Sequence, residues 1–75
     1  MPLLPPETIN AITRTVARQY PAVKQSKPTV RRGEGHTVRL IYRIRATTAD
    51  GHPITQRVRV TVTPGGQILK ITLSR

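Results

Sequence analysis

Arginine side chains recur at alternating positions in two stretches of the chain. Arg39, Arg43 and Arg45 lie in VRLIYRIRATT, and Arg57 and Arg59 lie in ITQRVRVTVT. The planar guanidinium group offers a fork of donors that fits phosphate oxygens and guanine edges better than an ammonium group does. These residues at this spacing therefore indicate binding to a polyanion, with nucleic acid as the first candidate.

Residues that could act as bases or metal ligands are few. The chain has two histidines, and His36 and His52 fall beside glycines in expected turns. A catalytic triad needs a base that a third group holds in place, and a closed metal site needs about four ligands. Neither turn supplies these groups. We therefore expect no enzymatic activity, no catalytic residue, no metal site and no cofactor.

The composition is strongly basic. Thirteen lysines and arginines against three acids give a net charge of +10, and there is no cysteine for a disulfide or a thiolate metal site. No apolar run reaches the roughly 18 residues of a membrane span. The N-terminus MPLLPPE lacks the basic start and long apolar core of a signal peptide. We expect a cytoplasmic protein with no membrane partner.

The arginines must be positioned by strands, because aliphatic residues occupy the other parity. The even positions from 38 to 46 and from 54 to 62 are almost all apolar. Successive side chains of a strand point to opposite faces, so one face is buried and the other carries the arginines. Arg43 faces Arg57 only if the loop between them is odd, either Ala49–Gly51 as a type I turn with a left-handed glycine, or Ala49–Pro53.

A last strand is predicted after the glycine turn at 64–67. A loop of two or four residues there aligns the aliphatic residues of both strands, pairing Val62 with Leu69, Val60 with Ile71 and Val58 with Leu73. Leu69, Ile71 and Leu73 would then complete the buried face. Lys70 falls on the arginine side, beside Thr61.

The N-terminal part predicts an amphipathic helix over about residues 6–20. Pro5-Pro6-Glu7 is typical of a helix start, since proline suits the first turn and a carboxylate complements the positive end of the helix dipole. Pro21 disfavours helical geometry at Tyr20, which predicts the end. Leu3 and Leu4 are expected to pack back on the first turn. One apolar stripe follows the helix, formed by Ile9, Ile12, Val16 and Tyr20, with Thr13 beside them.

Residues 22–32 predict an irregular edge strand or a loop, because Pro28 is unsuited to a central strand. Gly33-Glu34-Gly35 predicts a three-residue hairpin loop. That loop would pair Arg32 with His36 and Val30 with Val38. Lys27 and Arg31 would then join the arginine side of the sheet.

These patterns predict one small α+β domain over residues 1–75. One N-terminal helix packs on an antiparallel meander of three or four strands (αβββ or αββββ), with strands at about 37–48, 54–63 and 67–74. The core is small, so the margin of stability is thin. The C-terminal strand ILKITLS is a candidate edge for a homodimer.

Function is expected to reside in the basic side of the sheet, formed by Lys27, Arg31, Arg39, Arg43, Arg45, Arg57, Arg59 and Lys70. Proteins that bind single strands stack bases on aromatic residues, but Tyr20 and Tyr42 both fall on the core side. A duplex is therefore favoured, with a β-ribbon in the major groove. The layout resembles the three-stranded DNA-reading sheets of some plant transcription factors and integrase arm-binding domains, with the helix placed first.

A second resemblance leads to an alternative function. INAITRTVARQYP, then a hairpin, then TPGGQILKITL, is similar to the layout of PepSY-like domains, and a helix before a curled meander is similar to cystatin-like domains. This resemblance implies a non-enzymatic interaction or inhibitory module. The arginines would then meet an acidic protein surface, or a strand edge would self-associate.

Overall fold

The computed structural model describes residues 4–74 and has the predicted α+β architecture in its αββββ form. Over these residues the strands form one antiparallel sheet in the order β1-β2-β3-β4. The buried residues of the helix and the sheet form one core. The elements are helix α1 (Pro6–Ala17), a 3-10 segment (Pro21–Gln25), β1 (Thr29–Arg32), β2 (Val38–Thr47), β3 (Pro53–Val62) and β4 (Ile68–Ser74).

Helix α1 begins at Pro6, as the prolines predict, and ends at Ala17, three residues before the predicted end. Pro6 is its first residue and Glu7 lies in its first turn. The helix ends at Ala17 because the chain tightens there: the amides of Gln19 and Tyr20 both donate to the Val16 carbonyl, at 3.0 and 2.8 Å. The residue before Pro21 has left helical geometry, with φ −130° and ψ 82°, as a following proline requires.

The loop between β2 and β3 is the shorter of the two predicted odd loops, with three residues. The Thr48 amide donates to the His52 carbonyl and the Gly51 amide donates to the Thr48 carbonyl, both at 2.9 Å. Gly51 has φ 82°, a left-handed conformation that glycine adopts without strain. The odd loop pairs Arg43 with Arg57, as predicted.

The loop between β3 and β4 corrects the prediction of an even loop. It also has three residues, because the Thr63 amide donates to the Gln67 carbonyl at 2.9 Å and the Gly66 amide donates to the Thr63 carbonyl at 2.8 Å. Gly66 has φ 93°, and a Cβ added there would lie 2.6 Å from Thr8 Cγ2 of the helix. Glycine therefore permits both this turn and the close approach of α1.

A β-bulge at Leu69 compensates for the odd loop. Val62 pairs with Ile68 instead of Leu69, and from Lys70 onward the strands return to the predicted register. The extra residue in β4 is thus absorbed before the core pairs form. The predicted pairs Val60–Ile71 and Val58–Leu73 are confirmed. The predicted burial of Leu69 and Leu73 is wrong, since both are exposed at the edge of the sheet.

The register of β1 differs from the prediction by two residues. Of the residues 22–32 that predict an irregular edge strand or a loop, 29–32 form the strand, while the 3-10 segment takes up those as far as Gln25. The pairs of β1 are Arg32–Val38, Arg31–Arg39, Val30–Leu40 and Thr29–Ile41. The turn closes later because the amide and hydroxyl of Thr37 both donate to the Glu34 carbonyl, at 3.2 and 2.6 Å. A shift of two keeps each side chain on its predicted face.

The core lies between the even-numbered face of the sheet and the apolar stripe of α1, as predicted. Leu4 is buried in it, while Leu3, the other residue expected to pack on the first turn, lies outside the described residues. Val23 of the 3-10 segment is buried too, a contribution that the sequence pattern did not predict. The remaining buried residues are Ile12, Val16, Ala17, Val38, Leu40, Tyr42, Ile44, Val58, Val60 and Val62.

Tyr42 links the sheet to the helix through its hydroxyl. The phenol oxygen lies 2.8 Å from Thr13 Oγ1, which itself donates to the Ile9 carbonyl at 2.8 Å. Because the threonine hydroxyl has one proton, the Tyr42 hydroxyl is the donor of the first bond. Burial raises the pKa of the Tyr42 phenol above its ordinary value of 10.0.

We expect Tyr42→Phe to lower the free energy of unfolding by about 1 kcal/mol, the usual net contribution of such a hydrogen bond. The measurement is urea denaturation at neutral pH. Tyr20→Phe is the matched control, because the Tyr20 hydroxyl has only a 3.5 Å contact with Gln19. Equal losses in the two variants would contradict the role of the Tyr42 hydroxyl.

The raised pKa of Tyr42 also predicts that the stability of the protein depends on pH. Folding raises the pKa of Tyr42, so the stability that its neutral form contributes is fully present below about pH 10 and is lost as the pH rises through the higher folded value. Denaturation above pH 10 should therefore show a smaller deficit for Tyr42→Phe than at neutral pH. If the stability loss of Tyr42→Phe did not change with pH, that result would contradict the raised pKa of the buried Tyr42 phenol.

Candidate nucleic-acid interface

The register of the sheet brings most of the predicted basic residues onto one surface. Residues that pair across antiparallel strands project from the same face, and odd positions of β2 and β3 lie opposite the core. Arg31 pairs with Arg39, and Arg43 pairs with Arg57. We call this surface the arginine face; its cations are Arg31, Arg39, Arg43, Arg45, Arg57, Arg59 and Lys70.

The centre of the arginine face is a shallow depression of about 360 Å³. Ile41 lies in it, opposite Arg59, and is half-buried although it faces away from the core. Long arginine stems cover such an apolar side chain while their charged ends remain in water. The depression is lined by Thr29, Arg31, Arg39, Ile41, Arg43, Arg57 and Arg59.

Ile41 and Thr29 are the lining residues that the sequence analysis missed as part of the site. Ile41 is the one aliphatic residue at an odd position of β2. That break in the alternation is the signal that could have marked it as the middle of the basic surface. Thr29 joins the lining because it pairs with Ile41, which depends on the β1 register that the sequence did not predict.

Two predicted residues lie at the margins of the arginine face. Lys70 pairs with Thr61 and is exposed, so it extends the row of Arg31 and Arg39 to the edge strand. Arg45 pairs with Thr55 further along the β2–β3 hairpin. It borders a separate depression of about 250 Å³ beside the 3-10 segment.

Lys27 is the predicted residue that the structure does not bring into this group. It is exposed and lies before β1, outside the paired part of the sheet. The strand pairing that would fix its side chain on the arginine face therefore does not extend to it.

The negative charges of the chain lie away from the arginine face. Its three acids are Glu7 in α1, Glu34 in the β1–β2 loop and Asp50 in the β2–β3 loop. Like charges directly opposite one another destabilise a sheet, and the pairs Arg31–Arg39 and Arg43–Arg57 have this arrangement. The surface therefore holds concentrated positive charge at a position where an anion would relieve repulsion.

The two histidines are exposed in loops. His36 lies in the β1–β2 loop and His52 in the β2–β3 loop. Within residues 4–74, no group of three or more histidine, cysteine or acidic side chains is arranged to hold a metal ion. In the same part of the chain, no helix has the length and apolar character needed to cross a membrane.

The fold and this surface define a small basic α+β protein with a cationic sheet face. Comparison of the chain with known protein families, curated proteins and solved structures gives no match.

We expect Arg43→Gln to raise the free energy of unfolding at low ionic strength, by less than about 1 kcal/mol, because it removes the repulsion with Arg57. Added salt should shrink the gain by screening. Arg14→Gln is the matched control, since it removes an exposed arginine from α1. Thermal denaturation at low and high salt measures both effects, and equal stabilities of the two variants at low salt would contradict the repulsion.

Proposed function

We propose that this protein binds duplex nucleic acid through the arginine face and is not an enzyme. The proposal depends on one observation: arginines from three adjacent strands surround one depression, in a chain whose acids all lie elsewhere. Arginine forms two parallel hydrogen bonds with a phosphate, which makes it suited to this partner.

The opposed arginine pairs support phosphate as the group bound. The Cβ atoms of directly paired residues lie about 4.5–5.5 Å apart, so the two guanidinium groups of Arg43 and Arg57 can both reach one phosphate. The pair Arg31–Arg39 can do the same for another phosphate. Binding would then remove the repulsion that each pair carries in the free protein, which adds to affinity.

The lack of aromatic residues on this face supports a duplex over a single strand. The two aromatic residues of the chain are Tyr20 and Tyr42, and Tyr42 is fully buried on the opposite side of the sheet. Single-strand binding draws much of its affinity from bases stacked on exposed rings. A duplex offers phosphates and groove edges, which arginine recognises without stacking.

The shape of the sheet supports a groove as the docking place of the hairpin. Within residues 4–74, β1 pairs with β2 only as far as Ile41, and β4 pairs with β3 only as far as Arg57. Beyond these rows β2 and β3 continue as a two-stranded ribbon that carries Arg45. The major groove of DNA is about 12 Å wide and admits such a ribbon, while the wider part of the sheet contacts phosphates at its rim.

We expect the purified protein to bind a random-sequence DNA duplex with an affinity that falls steeply with salt. If four or five phosphates are neutralised, log K should fall with log[salt] at a slope of about −4. Fluorescence anisotropy of a labelled duplex across a range of salt concentrations gives the slope. Absence of binding at low ionic strength would contradict the proposal.

We expect Arg43→Glu combined with Arg57→Glu to lower the affinity by about 100-fold and to reduce the salt slope by about 1, because the phosphate that the two arginines hold together is lost. Arg14→Glu combined with Arg18→Glu is the matched control. It changes the net charge equally, but on the helix. The same anisotropy titration compares the two double variants.

The control separates a specific surface from general attraction by a basic protein. Equal losses in both double variants would mean that net charge alone drives binding. Unfolding of the sheet variant, measured by circular dichroism, would mean that the two arginines are structural. Binding to an acidic protein but not to a duplex would favour the interaction module over the nucleic-acid partner.

A further inference from the structure

Strand β4 forms an open and partly apolar edge of the sheet. Within the described residues it pairs with β3 on one side only. Leu69 and Leu73, which are 54% and 41% exposed, are the exposed large hydrophobic residues of that part of the chain. An unpaired edge offers a row of backbone donors and acceptors, so its natural occupant is another strand.

Two apolar residues of this edge, Ile71 and Leu73, lie on the face that carries α1. Ile71 pairs with Val60 and Leu73 pairs with Val58, both of which are fully buried under the helix. Lys70 pairs with Thr61 and points to the other face. Its charge therefore does not block the apolar side of the edge.

A cleft lies beside this apolar edge, between α1 and the β3–β4 loop. Its volume is about 320 Å³, and its lining includes the small residues Ala11, Gly65 and Gly66 together with Ile12 and Ile68. Ile68 is the chain neighbour of Leu69. The helix side of this cleft also carries Glu7, Thr8 and Thr15, so polar and apolar side chains both lie next to the edge of β4.

We propose that two copies of this chain associate by antiparallel pairing of their β4 strands about a two-fold axis at Ile71. This register sets Leu69 opposite Leu73 of the second copy, so each exposed leucine contacts one. It sets Lys70 opposite Thr72 of the second copy, so the two lysines do not face each other.

Neighbouring registers are less favourable. A two-fold axis at Lys70 would place the two lysines directly opposite one another, which is destabilising. An axis at Thr72 would pair Leu73 with Ile71 and leave Leu69 without an apolar partner. The strand is therefore self-complementary in one register, which favours a second copy over an unrelated strand.

The net charge of +10 on each copy does not prevent this association. In the paired sheet each depression is centred on β2, so the two centres lie five strand spacings apart, which is about 24 Å. The Debye length at physiological salt is about 8 Å, so repulsion across that distance is largely screened. The apolar edge itself carries no charged side chain on the helix side.

The pairing has a consequence for the arginine faces. A two-fold axis perpendicular to a continuous sheet keeps the same face of both copies on the same side. Two depressions would then lie side by side on one eight-stranded surface. If the proposed function holds, this dimer contacts a longer stretch of duplex than one copy does.

The association is tested without nucleic acid, by sedimentation equilibrium of the full chain over a range of concentrations. We expect a species of twice the 8.4 kDa chain mass. Leu73→Lys should raise the dimer dissociation constant by at least about tenfold, because it places two charges at the interface. Ala49→Lys in the β2–β3 loop is the matched control and should leave it unchanged. A monomer at all concentrations would overturn the proposal.

Disulfide formation tests the register, because the chain has no cysteine of its own. In the variant Leu69→Cys combined with Leu73→Cys, the two thiols of one copy lie about 13 Å apart and cannot bridge within it. Oxidation should therefore give a covalent dimer. The single variant Leu69→Cys should give little covalent dimer, since the partner of residue 69 in this register is residue 73 of the second copy. Equal cross-linking by the single and double variants would overturn the register. The proposed function is tested separately, because a monomer that binds nucleic acid would contradict the dimer and not the arginine face.

Discussion

The alternation of aliphatic and arginine side chains along β2 and β3 is the constraint on which both faces of the sheet depend. The side-chain period of a strand is two, so a slip of one residue would turn the valines of β3 to solvent and its arginines under the helix. A guanidinium group buried without a partner costs far more than a surface pair contributes. The left-handed Gly51 closes the odd loop that fixes this register. One turn therefore determines both the core and the clustering of the arginines.

The two faces of the sheet differ in their side-chain interactions, which are favourable on the core side and repulsive on the arginine face. On the core side, the buried valines pack against α1, and the hydroxyl of Tyr42 has its partner in Thr13. On the arginine face, charges of one sign lie opposite each other around Ile41. The core must therefore offset a repulsion that contributes nothing to folding. A polyanion would remove this repulsion, which is why the arginine face and not a loop is the strongest candidate for function.

The sequence was sufficient to predict the architecture and the sorting of the two faces, because both follow from parity. It was not sufficient to predict the length of the β3–β4 loop or the bulge that follows it. An odd loop followed by a one-residue bulge gives the same later register as an even loop, so the core pattern does not distinguish them. A local signal was present: Thr48 and Thr63 each precede a glycine by three residues, and each hydroxyl accepts the amide four residues later, at 3.1 and 3.0 Å. The sequence predicts an odd first loop of three or five residues, and the structure has the three-residue form. The repeat of its threonine and glycine at Thr63 and Gly66 indicates the same loop between β3 and β4.

The two-stranded end of the β2–β3 hairpin and the exposed leucines of β4 lie beside elements that are shorter than the central strands. Helix α1 has 12 residues and β2 has ten, so the helix spans about 18 Å and the strand about 33 Å. The helix and the 3-10 segment therefore cover only part of the sheet, and the leucines of β4 are left at its margin. The cations of β2 and β3 lie on the opposite face of the sheet. Their charges are therefore not on the helix side of the β4 edge, where Ile71 and Leu73 lie. Anion binding and strand pairing would thus use different surfaces, so that neither would block the other.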